Sequence, residues 1–233
     1  MILAAVFAAI RQVLSAPLRK MVVRSLGLTI VLLIALWGLL TKGLEVLLRA
    51  YPVSADYPLL NGLVYFLGGA GLLVAMVFLL PAVSAFVGGF FLDDAAAIVE
   101  ATDFPEDRPG EPTPTAASVL YGLRFAGLAL LLNLAALTLF FVPFVNVAAF
   151  FVVNTYLLSR EYFEMAAARF RSLPEAAALR RRHRLRALSG GAVLAGLMMI
   201  PVLNLLTPIF GIALMVHLNK QVDRQPRLAP PRP

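Results

Sequence analysis

Four long stretches without a charged residue constrain this chain more than any other feature of its sequence. They hold 17, 36, 35 and 33 residues, with His217 counted as neutral, and they lie between Arg24 and Lys42, Asp56 and Asp93, Arg124 and Arg160, and Arg186 and Lys220. A helix needs roughly 20 mainly apolar residues to cross a hydrocarbon layer of about 30 Å. The pattern therefore predicts an all-α integral membrane protein, in which three of the four stretches are too long for a single crossing.

The composition indicates the same class. Hydrophobic residues make up 61% of the 233 residues and charged residues 14%, whereas a soluble domain has roughly 45–50% apolar and about 25% charged residues. A cytosolic globular enzyme, a disordered chain and an ordinary nucleic-acid-binding module are excluded. No nucleic-acid partner is expected, because the basic residues sit beside apolar stretches, which is the membrane pattern. The absence of cysteine excludes disulfides, a thiol nucleophile and an iron–sulfur cluster.

The first two stretches are predicted to be full spans, over residues 25–48 and 59–92. The second contains Pro81, and a kink is expected there because proline removes a helical hydrogen bond. Residues 1–18 show helical periodicity of apolar side chains and have no basic n-region. They are predicted to form an interfacial amphipathic helix rather than a cleaved signal.

The third and fourth stretches are each interrupted near the middle by a proline, Pro143 and Pro201. The arms on either side hold 14 to 18 residues, and they reach about 21–27 Å, which is marginal for a crossing. We therefore predict two partly penetrating helical hairpins, over residues 119–159 and 187–219, that enter from one side and turn at the prolines. Irregular backbone at membrane depth is tolerated only inside protein or at a water-filled cavity, so both tips are expected to meet other helices rather than lipid.

Loop charges predict the orientation. Residues 1–24 carry a net charge of +4, and the segment 160–186 holds eight arginines. By the positive-inside rule the N-terminus, this arginine-rich segment and the C-terminal tail are cytoplasmic. The loop 93–118 lies on the same side because two spans precede it. The predicted organisation is one membrane domain over residues 1–222, followed by a disordered tail over 223–233.

The motifs of an enzyme are missing. None of the lysines follows a glycine, so no Walker A motif exists, and neither H-E-x-x-H nor G-x-S-x-G occurs. His183 and His217 are predicted to be a solvated loop histidine and a helix-end histidine. Asp93 and Asp94 could form a carboxylate pair for a metal or protons, but acids just past the end of a span are more often hydrated interface residues. We expect no enzymatic activity, no metal and no cofactor.

Two clusters of basic residues could recognise an anion. Arg19, Lys20 and Arg24 stand where the interfacial helix turns into the first span, and either a compact anion site or the positive-inside signal explains them. The run RRRHRLR at 180–186 is better explained by orientation and by attraction to anionic lipid, which is worth about 1 kcal/mol per residue near the surface.

Polar side chains inside the apolar stretches need partners in the membrane. Asn146 and Asn204 would either satisfy backbone groups freed at the turns or line a polar path. Asn133 is expected to join helices rather than conduct a solute. The full set of candidate path or hairpin-tip residues is Asn133, Pro143, Asn146, Asn154, Arg160, Glu161, Glu164, Pro201 and Asn204.

Several local sequences resemble the CysZ family of bacterial sulfate permeases and their etoposide-induced-protein relatives. The strongest match is PAVSAFVGGFFLDDAAAIVE at 81–100, which is similar to the family's long helix leaving the membrane. The sequence PLRK at 17–20 resembles the family's basic junction before its first span. The tips at Pro143 and Pro201 resemble the family's two partly penetrating hairpins, and the resemblance covers residues 1–222.

The resemblance implies an all-helical, usually oligomeric protein of the bacterial inner membrane, with two true spans, that admits sulfate. One departure concerns the substrate: the family's Asp-Tyr-Pro signature and following Asn-His pair are absent from the corresponding stretch, 160–169. We predict a permease or channel for a small oxyanion, sulfate first, captured by Arg19, Lys20 and Arg24. The alternative is a non-transporting, membrane-organising protein that acts on anionic lipid.

Overall fold

The computed structural model describes residues 2–50, 58–112, 131–132 and 144–224. Within these residues the regular structure is helical, with no strand, so the predicted all-α class is confirmed. The helices are α1 Ile2–Val13, α2 Ala16–Ala50, α3 Pro58–Gly89, α4 Leu92–Asp103, α5 Val145–Ala168, α6 Leu173–Arg182, α7 Arg184–Met198, α8 Pro201–Asn204 and α9 Thr207–Asp223.

Helices α2 and α3 are the longest and pack against each other. Among the described residues, α2 alone is long and apolar enough to cross a membrane, and only 11% of its apolar window is buried. Within α3, the stretch Gly62–Met76 is also apolar. Large apolar side chains on both helices face outward, such as Leu39 at 68% and Phe66 at 71% exposure. Such a surface is stable in lipid and unfavourable in water.

Three helices, α5, α7 and α9, form the centre of the fold, because glycines let them approach closely. A Cβ at Gly191 of α7 would lie 2.2 Å from the carbonyl oxygen of Thr155 in α5, and one at Gly190 would lie 2.7 Å from Leu218 in α9. All side chains of α9 from Thr207 to Lys220 are buried, beneath α1, α3, α4, α5 and α7. Most of these side chains are apolar, as is typical of a helix that is buried on all sides, and this burial accounts for the long charge-free run in this part of the sequence.

Helices α7 and α9 form an antiparallel pair joined through α8, so the chain turns at Pro201, which begins α8. Asn204 supports the return: its Oδ1 accepts a hydrogen bond from the Thr207 hydroxyl at 3.4 Å. A Cβ at Gly88 of α3 would lie 2.5 Å from Pro208 at the start of α9. Pro201 and Pro208 are seven residues apart, which corresponds to about 10 Å at the helical rise. The tip therefore lies near the C-terminal end of α3 rather than beside its middle.

At the second tip, the expected burial against other helices is not seen among the described residues. At the second tip Met199, Ile200 and Val202 are 48%, 50% and 74% exposed. At the start of α5 Phe144 is 88% exposed and has a positive φ of 65°, a conformation that is strained for a bulky residue. These three exposed side chains are apolar, so lipid or another subunit can cover them. Pro143 lies outside the described residues.

The segment predicted as the loop 93–118 is a loop only in part. It begins inside α4, which packs along α9, and residues 104–112 follow without regular structure. The charge pattern alone does not predict this helix, because its acidic side chains are paired with residues that lie far away in the sequence. Helix α1 ends at Val13, five residues before the predicted end, and α3 continues through Pro81.

Candidate anion site and ion-pair layer

Arg19, Lys20 and Arg24 lie together near the start of α2, and we call these three residues the basic face. All three side chains are exposed, because the opposite face of the same turns is the one that buries Leu18 and Met21 against the body. None of the three forms an ion pair with the part of the chain that the structure describes. Their charge is therefore available to an anion from solution or from a lipid headgroup.

A second polar region lies inside the protein and is centred on Arg169, which is 4% exposed. Its Nε and Nη2 donate to the two carboxylate oxygens of Glu100 at 2.7 and 3.2 Å, and its Nη1 donates to Asp93 at 2.8 Å. Burial lowers the pKa of the guanidinium, but the hydrogen bonds with Glu100 and Asp93 outweigh burial and raise the pKa above its ordinary value. This fork of paired charges joins the end of α5 to α4.

Glu164 of α5 is 1% exposed and accepts a hydrogen bond from Nε of Arg180 in α6 at 2.6 Å. Nε of Arg160 lies 3.9 Å from the other carboxylate oxygen. Burial raises the pKa of Glu164, and Arg180 partly opposes that rise. Of the predicted path residues, the structure thus brings Arg160 and Glu164 together within α5. The ion pair of Glu164 with Arg180 is the one that holds α5 against α6.

Glu161, the residue after Arg160 on α5, has no ion pair with the described residues. Burial raises its pKa to about 7, so this carboxyl group loses its charge more readily than an ordinary glutamate.

Further ion pairs extend this region to α1 and α9. Asp103 pairs with Arg11 at 3.4 Å, and Lys220 lies 3.0 Å from Asp107. The imidazole of His217 also lies 3.4 Å from Asp103, but this contact is an ion pair only when the imidazole is protonated. The hydrogen bond from Lys220 holds the pKa of Asp107 below its ordinary value. Together, we call the pairs of Arg169, Glu164, Asp103 and Asp107 the ion-pair layer.

The ion-pair layer contains residues that sequence reasoning missed. Glu100, Arg169 and Arg180 are absent from the predicted path residues. Asp93 is paired rather than fully hydrated, and His217 is buried and belongs to the layer. Seven acids lie at 93–111 and eight arginines at 160–186. This complementarity of two segments was the available signal.

The other predicted path residues make local contacts. Asn154 is buried, and its amide donates to the carbonyl of Phe150 on the same helix at 2.8 Å. Oδ1 of Asn146 accepts from the backbone N–H of Val147 at the start of α5. Pro201 and Asn204 lie on α8, and Asn133 is outside the described residues.

The described fold is helical, α2 and α3 carry an outward apolar surface, and charged residues are collected in the ion-pair layer. This combination is typical of membrane-associated helical proteins. The family model described as "Sulfate transporter CysZ/Etoposide-induced protein 2.4" matches residues 5–208. This match covers most of the chain, so the protein belongs to that family, and the resemblance seen in the sequence is confirmed. A search of curated proteins finds no match to the chain.

Proposed function

We propose that this protein carries a small oxyanion, sulfate first, through the bacterial inner membrane. The observation that supports this most is the basic face of Arg19, Lys20 and Arg24 at the start of the candidate span α2, which is exposed and has no ion pair with the described residues. The family's description as a sulfate transporter selects sulfate among anions. The N- and C-termini are proposed to be cytoplasmic, in line with the basic flanks of the apolar stretches.

The proposed route begins with electrostatic capture at the basic face. An arginine can fork onto two oxygens of an oxyanion, and two adjacent cations reduce the cost of stripping water from a divalent anion. Conduction needs weak, repeated contacts rather than one tight site. Polar groups at the hairpin tips, with Arg160 and Glu161, would supply such contacts. The ion pair of Glu164 with Arg180 assigns Glu164 a supporting role in this scheme.

A homo-oligomer is part of the proposal. The exposed apolar side chains of the second tip, Met199, Ile200 and Val202, would be covered by another subunit. Such an arrangement would also enclose the irregular backbone of the tip in protein, which a hydrocarbon environment requires.

Flux into proteoliposomes tests the transport proposal. Labelled sulfate uptake by wild type is expected to exceed that of lipid-only vesicles, and the R19A/K20A variant should reduce uptake by about tenfold or more, since each lost charge-assisted contact weakens capture. K42A/R49A is the matched control, because it removes two exposed cations from the other end of the same helix. Equal loss in both variants, or no sulfate uptake by wild type, would contradict the proposal.

A membrane-organising protein is the second candidate, and one observation favours it. Helix α1 exposes Leu3, Phe7 and Ile10 on one side, and Leu14 just after the helix is exposed too. This apolar stripe fits insertion into the lipid interface. If wild-type protein gives no uptake but changes the shape or permeability of anionic vesicles, this second function is supported instead.

A further inference from the structure

The junction between α6 and α7 carries an unusual concentration of positive charge. Helix α6 ends at Arg182, the chain bends at His183, and α7 starts at Arg184. The bend opens a cavity of about 300 Å³, a volume at the lower end of small-ligand sites. Its lining consists of Arg181, Arg182, His183, Arg184, Leu185 and Arg186.

The positive charge of this cavity is only partly compensated by the protein. The side chains of Arg181, Arg182 and Arg184 are exposed, and none of the three has an ion pair within the described ranges. The neighbouring Arg180 differs, because it is engaged with Glu164.

The helix ends at the junction are not equivalent. Basic residues in the last turn of α6 interact favourably with the negative end of that helix's dipole. The first turn of α7 has no acidic residue and no side-chain cap, and Arg184 adds positive charge to a helix end that is already positive. An anion bound between the two helices would relieve this repulsion.

The pKa of His183 is affected by the positive charge of this junction. Burial lowers its pKa, the cations Arg186 and Arg182 lower it further, and Asp223 of α9 partly opposes them. The imidazole therefore stays neutral where a histidine in water begins to gain a proton, and it can donate a hydrogen bond to an anion.

We propose that this cavity binds the phosphate group of an anionic lipid, and binds a phosphomonoester such as that of phosphatidic acid best. Phosphate presents adjacent oxygens that match the fork of arginine. A lipid fits better than free phosphate because Leu185, between the arginines, is 74% exposed and can reach the acyl boundary, and because α7 continues into the apolar hairpin. The site is separate from the basic face, and the proposal stands whether or not the protein transports sulfate.

Lipid binding to the purified full-length protein tests the assignment. Titration with fluorescent phosphatidic acid in detergent micelles is expected to give binding about tenfold or more tighter than with phosphatidylcholine. The R181Q/R182Q/R184Q variant should lose this preference. The variant K42Q/R49Q/R108Q removes the same number of exposed cations from elsewhere and should keep it. Thermal unfolding of each variant establishes that the altered side chains, which are exposed, leave the fold intact.

Two further arms separate the remaining explanations. The R181K/R182K/R184K variant keeps the charge but loses the fork, and it should lose most of the preference for phosphatidic acid. Full binding by this variant, or equal loss in the control variant, would mean diffuse attraction and overturn the proposal. Competition by inorganic phosphate at concentrations at which sodium chloride has no effect would assign the site to free phosphate and overturn the lipid assignment.

Discussion

Arg169, with its buried guanidinium, is the central residue of the ion-pair layer. Its charge and that of Glu100 are both removed from water, with side-chain exposures of 2% and 5%. Desolvating such a pair costs several kcal/mol, which the fork of hydrogen bonds offsets only while both partners are present. The carbonyl of Gly110 also accepts from Arg169, so the same side chain holds the coil that follows α4.

Replacing Arg169 with methionine is expected to destabilise the protein by about 3–5 kcal/mol, because Glu100 is left buried and unpaired. R171M is the control, since Arg171 pairs with Asp223 at a more exposed site, with side-chain exposures of 22% and 39%, and should cost less than about 1 kcal/mol. Thermal unfolding in detergent measures both. The double variant R169M/E100Q should recover part of the loss, and no recovery would show that the pair does not act as a unit.

At the scale of elements, close contact between α5 and α7 organises the centre of the molecule. Gly191 faces the backbone of α5, and backbone cannot rotate away from an added methyl group as a flexible side chain can. A Cβ at Gly196, further along the same helix, would meet no atom of the described residues within 4 Å. Gly191 is therefore required by the close approach of α5, whereas Gly196 is not required by any such contact.

Gly191→Ala is expected to destabilise the protein by about 1–3 kcal/mol, because α5 and α7 must separate to make room. Gly196→Ala should be neutral or stabilise by about 0.5–1 kcal/mol, since alanine is the better helix former. The difference in unfolding midpoint between the two variants is the measurement. Equal changes of the unfolding midpoint in the two variants would mean that α5 and α7 do not make their close contact at Gly191.

At the scale of the whole molecule, the depth of the hairpins decides how many times the chain crosses the membrane. The contact of Gly88 with Pro208 places the second tip near the end of α3. A full crossing would instead carry the tip along the length of that helix. The chain has no native cysteine, which makes the topology accessible to single-cysteine labelling.

Cysteines at Asn146 and Asn204 are expected to stay unlabelled by an impermeant thiol reagent applied outside intact cells, because both hairpins return to the side from which they entered. A cysteine at Ala50, the end of α2, should be labelled under the same conditions. Permeabilised cells provide the accessibility control. Labelling of the tip positions from outside would mean complete crossings and six spans.

The charge-free stretches determined the all-helical class, and the turn at Pro201 and the family could also be read from the sequence, because hydropathy, proline geometry and local motifs act over short distances. The partners of charged residues were decided only by tertiary structure. Arg169 meets Glu100 across 69 positions of sequence, and His217 meets Asp103 because α9 packs along α4. The sequence gives the sign of each charge but not its partner. Only the packing of the helices brings a particular pair within hydrogen-bonding distance and away from water.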